Sequence, residues 1–291
     1  MFHDLSLFGK TIDLYAFFNN FANIAQVLVA LYIRKQFLEV ATIPKVANMY
    51  LNKKNKDTFL WRWGFVILFG LLLSVIVVSI NNLTNDPITT FFLGDKDANF
   101  FPNIFVCPVT VFLLGILLMV SPLKYLDISS VLTAAALICY KIACFCAGCC
   151  YGVEWSGGMY NQKTERYEFP VQLVEIACAI VMFVIVMALV RKKNLRHGIL
   201  YPLFMMMYCG SRFVSEFWRD DYPAVWGILK SYHIQCMIGF AEGLIFLIIV
   251  LIWGKRITDH FDAKNEAFLE KHRQKVSAER ERNRHKRKVI K

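Results

Sequence analysis

The sequence predicts an all-α polytopic membrane protein with about seven transmembrane helices, its N-terminus outside and its C-terminus cytoplasmic. Three observations predict it: apolar residues gathered into blocks of near-membrane length, loop charge that alternates between blocks, and ionisable residues set inside the blocks. Of the 291 residues, 57% are hydrophobic and 19% charged, and the mean hydropathy is +0.44. A soluble domain carries roughly 45–50% apolar residues and about a quarter charged ones. Only helices and closed barrels satisfy their backbone in lipid. Barrel strands alternate apolar and polar residues over about ten positions, whereas these blocks are continuously apolar, which excludes a barrel.

Seven spans are expected, at Leu14–Ile33, Trp63–Ile80, Ile104–Val120, Ile128–Ala147, Val171–Val190, Ile199–Val214 and Ile234–Trp253. Most approach the roughly 20 residues that cross about 30 Å of hydrocarbon. The first carries Asn19, Asn20, Asn23 and Gln26, and the third and sixth are the weakest by hydropathy. The N-terminal MFHDLSLFGKTID lacks a basic stretch followed by an apolar run and a small-residue cleavage site, so the first span is expected to be retained.

Loop charge sets the orientation, because cytoplasmic loops carry an excess of Lys and Arg. Arg34, Lys35, Lys45, Lys53, Lys54, Lys56 and Arg62 follow the first span, against Glu39 and Asp57. Asp86, Asp95 and Asp97 follow the second, against Lys96 alone. Glu154, Glu165 and Glu168 outnumber Lys163 and Arg166 after the fourth, and RKKNLRH follows the fifth. Odd spans are thus followed by basic segments.

The division expected is a transmembrane helical domain over residues 1–254 and a basic cytoplasmic tail over 255–291. The tail holds thirteen Lys/Arg and six Asp/Glu, so +7 of the chain's net +11 lies there. It reads as a charged helix, partly or wholly disordered. With the basic residues confined to two loops and the tail, the partner they fit is the anionic cytoplasmic lipid surface, and no nucleic-acid partner is expected.

Ionisable and amide groups are costly in a bilayer and mark cavities, partners or pathways. Lys141 lies in the fourth span, Gln172 and Glu175 open the fifth in FPVQLVE, Arg212, Glu216 and Arg219 end the sixth in GSRFVSEFWRDD, and His233 and Gln235 open the seventh in SYHIQC. Spans four and six run outward and five and seven inward, so every group falls at the exoplasmic side. Arg212, Glu216 and Arg219 stand at i, i+4 and i+7, one helix face. A basic cavity there suits an anionic phospholipid headgroup, for which arginine offers a fixed fork of donors. The structural alternative has Arg219 snorkelling to the interface and Arg212 pairing with Glu216.

KIACFCAGCCYG, Lys141 to Gly152, sets Cys144, Cys146, Cys149 and Cys150 within seven positions. C-x-C-x-x-C-C is not a standard zinc spacing and no paired histidines follow. The cysteines read first as small apolar residues that let helices approach around Gly148. A disulfide between Cys146 or Cys149 and another exoplasmic cysteine is the second reading.

These segments carry a family signature. The chain resembles the prolipoprotein diacylglyceryl transferases of bacteria. KIACFCAGCCYG is similar to that family's Gly-Arg-Ile-Gly-x-Phe-x-x-Gly-x-x-Tyr/Trp-Gly segment, FPVQLVE to His-Pro-x-Gln-Leu-Tyr-Glu, and GSRFVSEFWR to Gly-x-Arg-Phe-x-x-Glu-Phe-x-Arg. SYHIQ and Tyr15 in DLYAFF are weaker matches, and the resemblance spans about residues 10–250. It implies transfer of diacylglyceryl from phosphatidylglycerol to the lipobox cysteine thiol of a prolipoprotein, at the outer leaflet of the bacterial inner membrane. No metal or cofactor is implied. Catalytic roles would fall to Arg212, Lys141 and Glu216, and substrate contacts to Tyr15, Gly148, Gly152, Gln172, Glu175, Arg219, His233 and Gln235.

The chain departs from the pattern at named positions. Lys141 keeps the charge of the family's arginine without its fork. Ala143 replaces a glycine, Cys144 an asparagine and Phe169 a histidine, and CPVTVFLLGILL holds no counterpart of the third-span His-Gly-Gly. His233 is a candidate substitute base. Two other readings therefore stand beside the transferase: a lipid-binding or partner-binding paralogue, and a thiol-redox membrane protein using the Cys144–Cys150 cluster. The redox reading requires Cys149 or Cys150 and tolerates Arg212→Ala, and the transferase reading requires the reverse.

Overall fold

The computed structural model describes residues 4–7, 10–33, 113, 121–192, 195–220 and 223–289. The expected spans Trp63–Ile80 and, but for Leu113, Ile104–Val120 lie outside these residues, as does the CPVTVFLLGILL segment apart from Leu113.

A hairpin of β1 (Asp4–Leu7) and β2 (Lys10–Asp13) leads into α1 (Leu14–Ile33), which matches the first expected span at both ends. α2 (Pro122–Ala147) starts six residues before the expected Ile128. The reason is local: Pro122 sits in the first turn, where its fixed φ suits helix entry. The Asp127 carboxylate, which lies just before the expected start of this span, is buried inside the helix, where it accepts the Gly198 and Leu200 backbone N–H groups at 2.6 and 2.9 Å. α3 (Val171–Val190) coincides with the fifth expected span. α4 (Leu200–Ser215) differs from the sixth by one residue at each end and continues as a 3₁₀ turn over Glu216–Trp218.

Two corrections concern the last helix and the class. α5 runs unbroken from Ser231 to Val289, so the seventh span, expected to end at Trp253, continues without a break into the tail, which takes the charged-helix form expected of it. The tail's run of Ala, Glu, Lys and Arg consists of strong helix formers, and Lys124 ties the junction by an ion pair to Asp262 at 2.7 Å. The all-α expectation also omits three small hairpins among the described residues: β1–β2, β3 (Glu154–Asn161) with β4 (Arg166–Glu168), and β5 (Ala224–Trp226) with β6 (Leu229–Lys230).

Among the described residues, three helical segments are long and apolar enough to cross a membrane, at Pro122–Ala147, Val171–Val190 and Ser231–Lys264. α2 is the central one. Of its apolar window 56% is buried, against 28% and 22% for the other two. Its Leu123, Leu126, Val131 and Leu137 share one core with Met182 and Val186 of α3, Phe204, Met205 and Tyr208 of α4, and Cys236 and Val250 of α5. Ile180, Val181 and Val184 of α3 and Ile245 and Ile252 of α5 face outward exposed, as apolar residues do when the surrounding solvent is lipid. Near the last turns of α1 and α3, Arg191 hydrogen-bonds the Tyr32 hydroxyl. The two helices therefore run in the same direction, and Tyr15 begins at the same end of the bundle as Gln172.

Candidate functional site

The site forms where the C-terminal ends of α2 and α4 meet the N-terminal ends of α3 and α5. Glu175, one turn into α3, is its centre. It accepts Lys141 Nζ of α2 at 2.8 Å, Arg212 Nη1 of α4 at 2.6 Å and the Ser215 hydroxyl at 3.2 Å. Arg219 Nη1 lies 3.5 Å from the same carboxylate. Arg212 then bridges, because its Nη2 is 2.8 Å from Glu216 Oε2, to which Arg219 Nε comes within 3.7 Å. The i, i+4, i+7 face read from sequence is realised, although the last two residues sit on the 3₁₀ turn and on the extended residue after it. The Arg212 guanidinium also lies over the Tyr232 ring, 5.2 Å from its centroid.

Lys141, Arg212 and Arg219 oppose Glu175 and Glu216, so the cluster carries a net +1. All but Lys141 are less than a tenth exposed, and the Lys141 side chain is 13% exposed. Buried ions are stable only when paired, and each cation here has a carboxylate. The cavity beside them has two characters. Lys141, Glu175, Ser211, Arg212 and Ser215 line a charged end, and Leu137, Cys178, Met182 and Tyr208 line the remainder.

Gln172 stands a turn before Glu175 and donates to the Cys149 carbonyl at 2.9 Å, with its own Oε1 buried and without a hydrogen-bond partner among the described residues. Gln235 is buried in the first turn of α5. Tyr15 lies at the same end on α1 and is 43% exposed. His233 is fully buried against Phe213 and Phe217, with ring centroids 5.0 and 4.4 Å away. Its Nδ1 accepts the Lys230 N–H at 3.0 Å. A neutral imidazole whose Nδ1 accepts must carry its proton on Nε2. His233 therefore presents a donor, and the geometry does not make it the base considered from sequence.

The glycines act through the backbone. Gly148 closes α2 in the left-handed region at φ 63°, the common C-terminal cap. Gly152 pairs with Arg219 in an isolated β-bridge, and a Cβ there would meet the Phe169 carbonyl oxygen at 2.2 Å. Val153 N–H bonds the Trp218 carbonyl at 2.9 Å and Asp220 N–H bonds the Tyr151 carbonyl at 3.1 Å. The signature turn after α2 and the end of α4 are thus sewn together by main chain, which positions Arg219.

Phe169, where the resemblance implies histidine, stacks between Trp155 and Trp218 with centroids 5.6 and 5.8 Å away. This position packs rather than titrates.

Sequence reasoning missed a second polar cluster. Glu168, 1% exposed, accepts Asn161 Nδ2 at 3.0 Å, Arg166 Nε at 3.0 Å and the Thr164 hydroxyl. Asn161 also donates to the Gly148 carbonyl at 3.0 Å, and Arg166 reaches Asp220 at 2.8 Å. Those two carboxylates hold the Arg166 guanidinium above its usual pKa, Asp220 first. The cluster pins the β3–β4 hairpin over the site. Its only sequence signal is a charged loop, which reads as solvated.

The cysteines also differ from expectation. All described cysteines are free thiols, so the disulfide reading finds no pair among them. Cys144, Cys149 and Cys150 bring their sulfurs within 4.8 Å of one another, while Cys146 stands apart. Cys150 takes φ 60°, a left-handed conformation that costs a non-glycine residue about 1 kcal/mol or more. The neighbouring Cys144 and then Cys149 thiols hold its own pKa well below the usual range, with Arg219 and Lys141 adding to the effect.

A search of curated proteins finds no match to this chain. The family model for prolipoprotein diacylglyceryl transferase matches residues 5–249, which include every residue named in the site. The chain belongs to the prolipoprotein diacylglyceryl transferase family, a membrane transferase family of lipoprotein biosynthesis.

Proposed function

We propose that the chain transfers diacylglyceryl from phosphatidylglycerol to the lipobox cysteine thiol of a prolipoprotein, at the outer leaflet of the bacterial inner membrane. One observation carries this reading: a cavity with a net-positive, buried polar end and an apolar remainder, lined by three helices. The charge of the first part suits an anionic headgroup, and the apolar lining of the second suits acyl chain. The topology that goes with it has seven spans, the N-terminus outside, a domain over residues 1–254 and a cytoplasmic tail over 255–291.

In this reading the acceptor thiolate attacks the glyceryl carbon bonded to phosphate oxygen. The C–O bond breaks, a C–S thioether forms, glycerol phosphate leaves with the bonding pair, and the thiol proton ends in the medium. Arg212 and Lys141 stabilise the charge that grows on the leaving phosphate. Glu216 holds Arg212 in register. Glu175, Gln172, Arg219 and Gln235 shape the headgroup end, His233 offers it an N–H donor, Gly148 and Gly152 set the turn, and Tyr15, exposed at the same end of the bundle, contacts substrate.

A second reading has one observation in its favour. Each described cation of the site contacts one of the two carboxylates, as in a structural network. That pattern suits a paralogue that binds lipid or a partner without turnover.

The test uses purified protein in phosphatidylglycerol vesicles with a lipobox peptide, following thioether-linked diacylglycerol by mass. Product is expected, and Arg212→Ala is expected to reduce its rate by about 100-fold or more. No product, together with no rescue of a transferase-deficient strain, overturns the enzymatic reading. Phosphatidylglycerol retention in that same protein would then select the paralogue.

A further inference from the structure

The transferase reading leaves the thiol cluster unused. An α-helix continued past Ala147 would spread Cys144, Cys149 and Cys150 around its circumference, because i+5 and i+6 fall on different faces from i. The chain avoids this with two left-handed residues, Gly148 at φ 63° and Cys150 at φ 60°. Together they fold the segment back over the last turn of α2, and all three sulfurs come within 4.8 Å of one another.

The turn is held from outside. Gln172 Nε2 donates to the Cys149 carbonyl at 2.9 Å and Asn161 Nδ2 to the Gly148 carbonyl at 3.0 Å. Gln172 and Asn161 are both at or below 1% exposure. The thiols are thus preorganised by buried groups of two other elements, as ligands of a metal site must be. The Cys149 thiol donates to the Cys144 carbonyl at 3.6 Å, a weak contact that a ligand can replace.

We propose that Cys144, Cys149 and Cys150 form a three-thiolate site for a soft monovalent cation of the copper(I) class. Geometry and charge select it. Three sulfurs about 2.3 Å from one shared ion lie about 4 Å apart, inside the span observed here. Among the described residues no further thiol, imidazole or carboxylate joins the three. Structural zinc takes four protein ligands, whereas copper(I) is selected by soft thiolates and accepts three. Three thiolates around a monovalent ion leave two negative charges, and the backbone bridge between Gly152 and Arg219 brings the end of the net-positive cluster to the same turn. The proposal does not rest on the lipid-transfer reading, because its ligands come from the turn and not from the Glu175 cluster. Through Gln172, however, metal occupancy would stiffen the wall next to Glu175.

The test takes full-length protein in detergent, reduced and anaerobic, and titrates it with copper(I) buffered by bicinchoninate. About one copper per chain is expected to survive gel filtration, with only sulfur neighbours by X-ray absorption. Cys144→Ser, Cys149→Ser and Cys150→Ser should each weaken copper retention by more than about tenfold, and Cys146→Ser and Cys178→Ser should leave it unchanged. A second measurement needs no variant: copper-loaded wild type, treated with iodoacetamide and mapped by mass, should protect those three thiols and leave Cys146 alkylated. No retained copper, retention indifferent to the three substitutions, Cys146 protected equally, or zinc retained in preference to copper would each overturn the site. Lipid transfer measured on the same samples reads the other proposal separately.

Discussion

Glu175→Gln tests whether one carboxylate organises the site. The change keeps shape and removes charge, so the cluster passes from a net +1 to +2 with Lys141 and Arg212 stripped of their shortest contacts, at 2.8 and 2.6 Å. Both pairs are deeply buried, with side-chain exposures of 13% and 6% for the first and 7% and 6% for the second, so solvent screening does not erase the effect. A hydrogen bond to a charged group contributes about 1.5–3 kcal/mol, which gives about 3–6 kcal/mol for the two. Breaking a buried ion pair costs about 3–5 kcal/mol independently. We expect a loss of about 4 kcal/mol, which lowers Tm by roughly 10 °C in a domain of this size. The assay is thermal unfolding in detergent, with the exposed Glu154→Gln on β3 as a control expected within about 0.5 kcal/mol of wild type. Combining Glu175→Gln with Lys141→Gln should recover part of the loss, with a coupling of about 1–3 kcal/mol. A Tm within about 2 °C of wild type and additive double-mutant behaviour would refute the network as drawn.

Other expectations follow from the same contacts. Gly152→Ala places a methyl 2.2 Å from the Phe169 carbonyl; it should cost about 1–3 kcal/mol or more and expose the Val153 and Asp220 amides to faster hydrogen exchange. Unchanged exchange would contradict the main-chain stitching. Asp127→Asn turns one of two acceptors into a donor facing the Gly198 or Leu200 N–H, a loss of about 1–3 kcal/mol, read as a lowered midpoint in denaturant. Phe169→His inserts the family's residue between Trp155 and Trp218; unless it also raises transfer, the expected result is lower stability by about 1 kcal/mol from lost ring packing, checked by unfolding and by the mass assay together.

Much of the bundle is legible in the sequence because apolar run length is a property of local chain. Leu14–Ile33 and Val171–Val190 keep their predicted ends despite the few polar residues they carry. Pro122 and Asp127 show the limit. Asp127 belongs inside a helix because Gly198 and Leu200, about 70 positions away, use its oxygens, and no local pattern records that.

The candidate site divides the same way. Its composition was readable: Lys141, Gln172, Glu175, Arg212, Glu216 and Arg219 stand out because charge inside an apolar run is costly, and alternating direction puts them at one end. Their pairing was not. Sequence placed Arg212 with Glu216 on one helix face, but the central acceptor is Glu175 on another helix. Asn161 and Glu168 hid in a polar loop, and the three thiols hid in a spacing that matches no metal signature.

By itself, then, the order of residues determined which segments seek lipid, which end gathers charge, and the family to which the chain belongs. Tertiary structure alone decided who partners whom: which carboxylate neutralises which cation, which tautomer His233 holds, and that Cys144, Cys149 and Cys150 converge. The physical reason is range. Hydrophobic periodicity acts over a few turns of one helix, while ion pairs, backbone bridges and thiol contacts depend on how separate helices are set against each other.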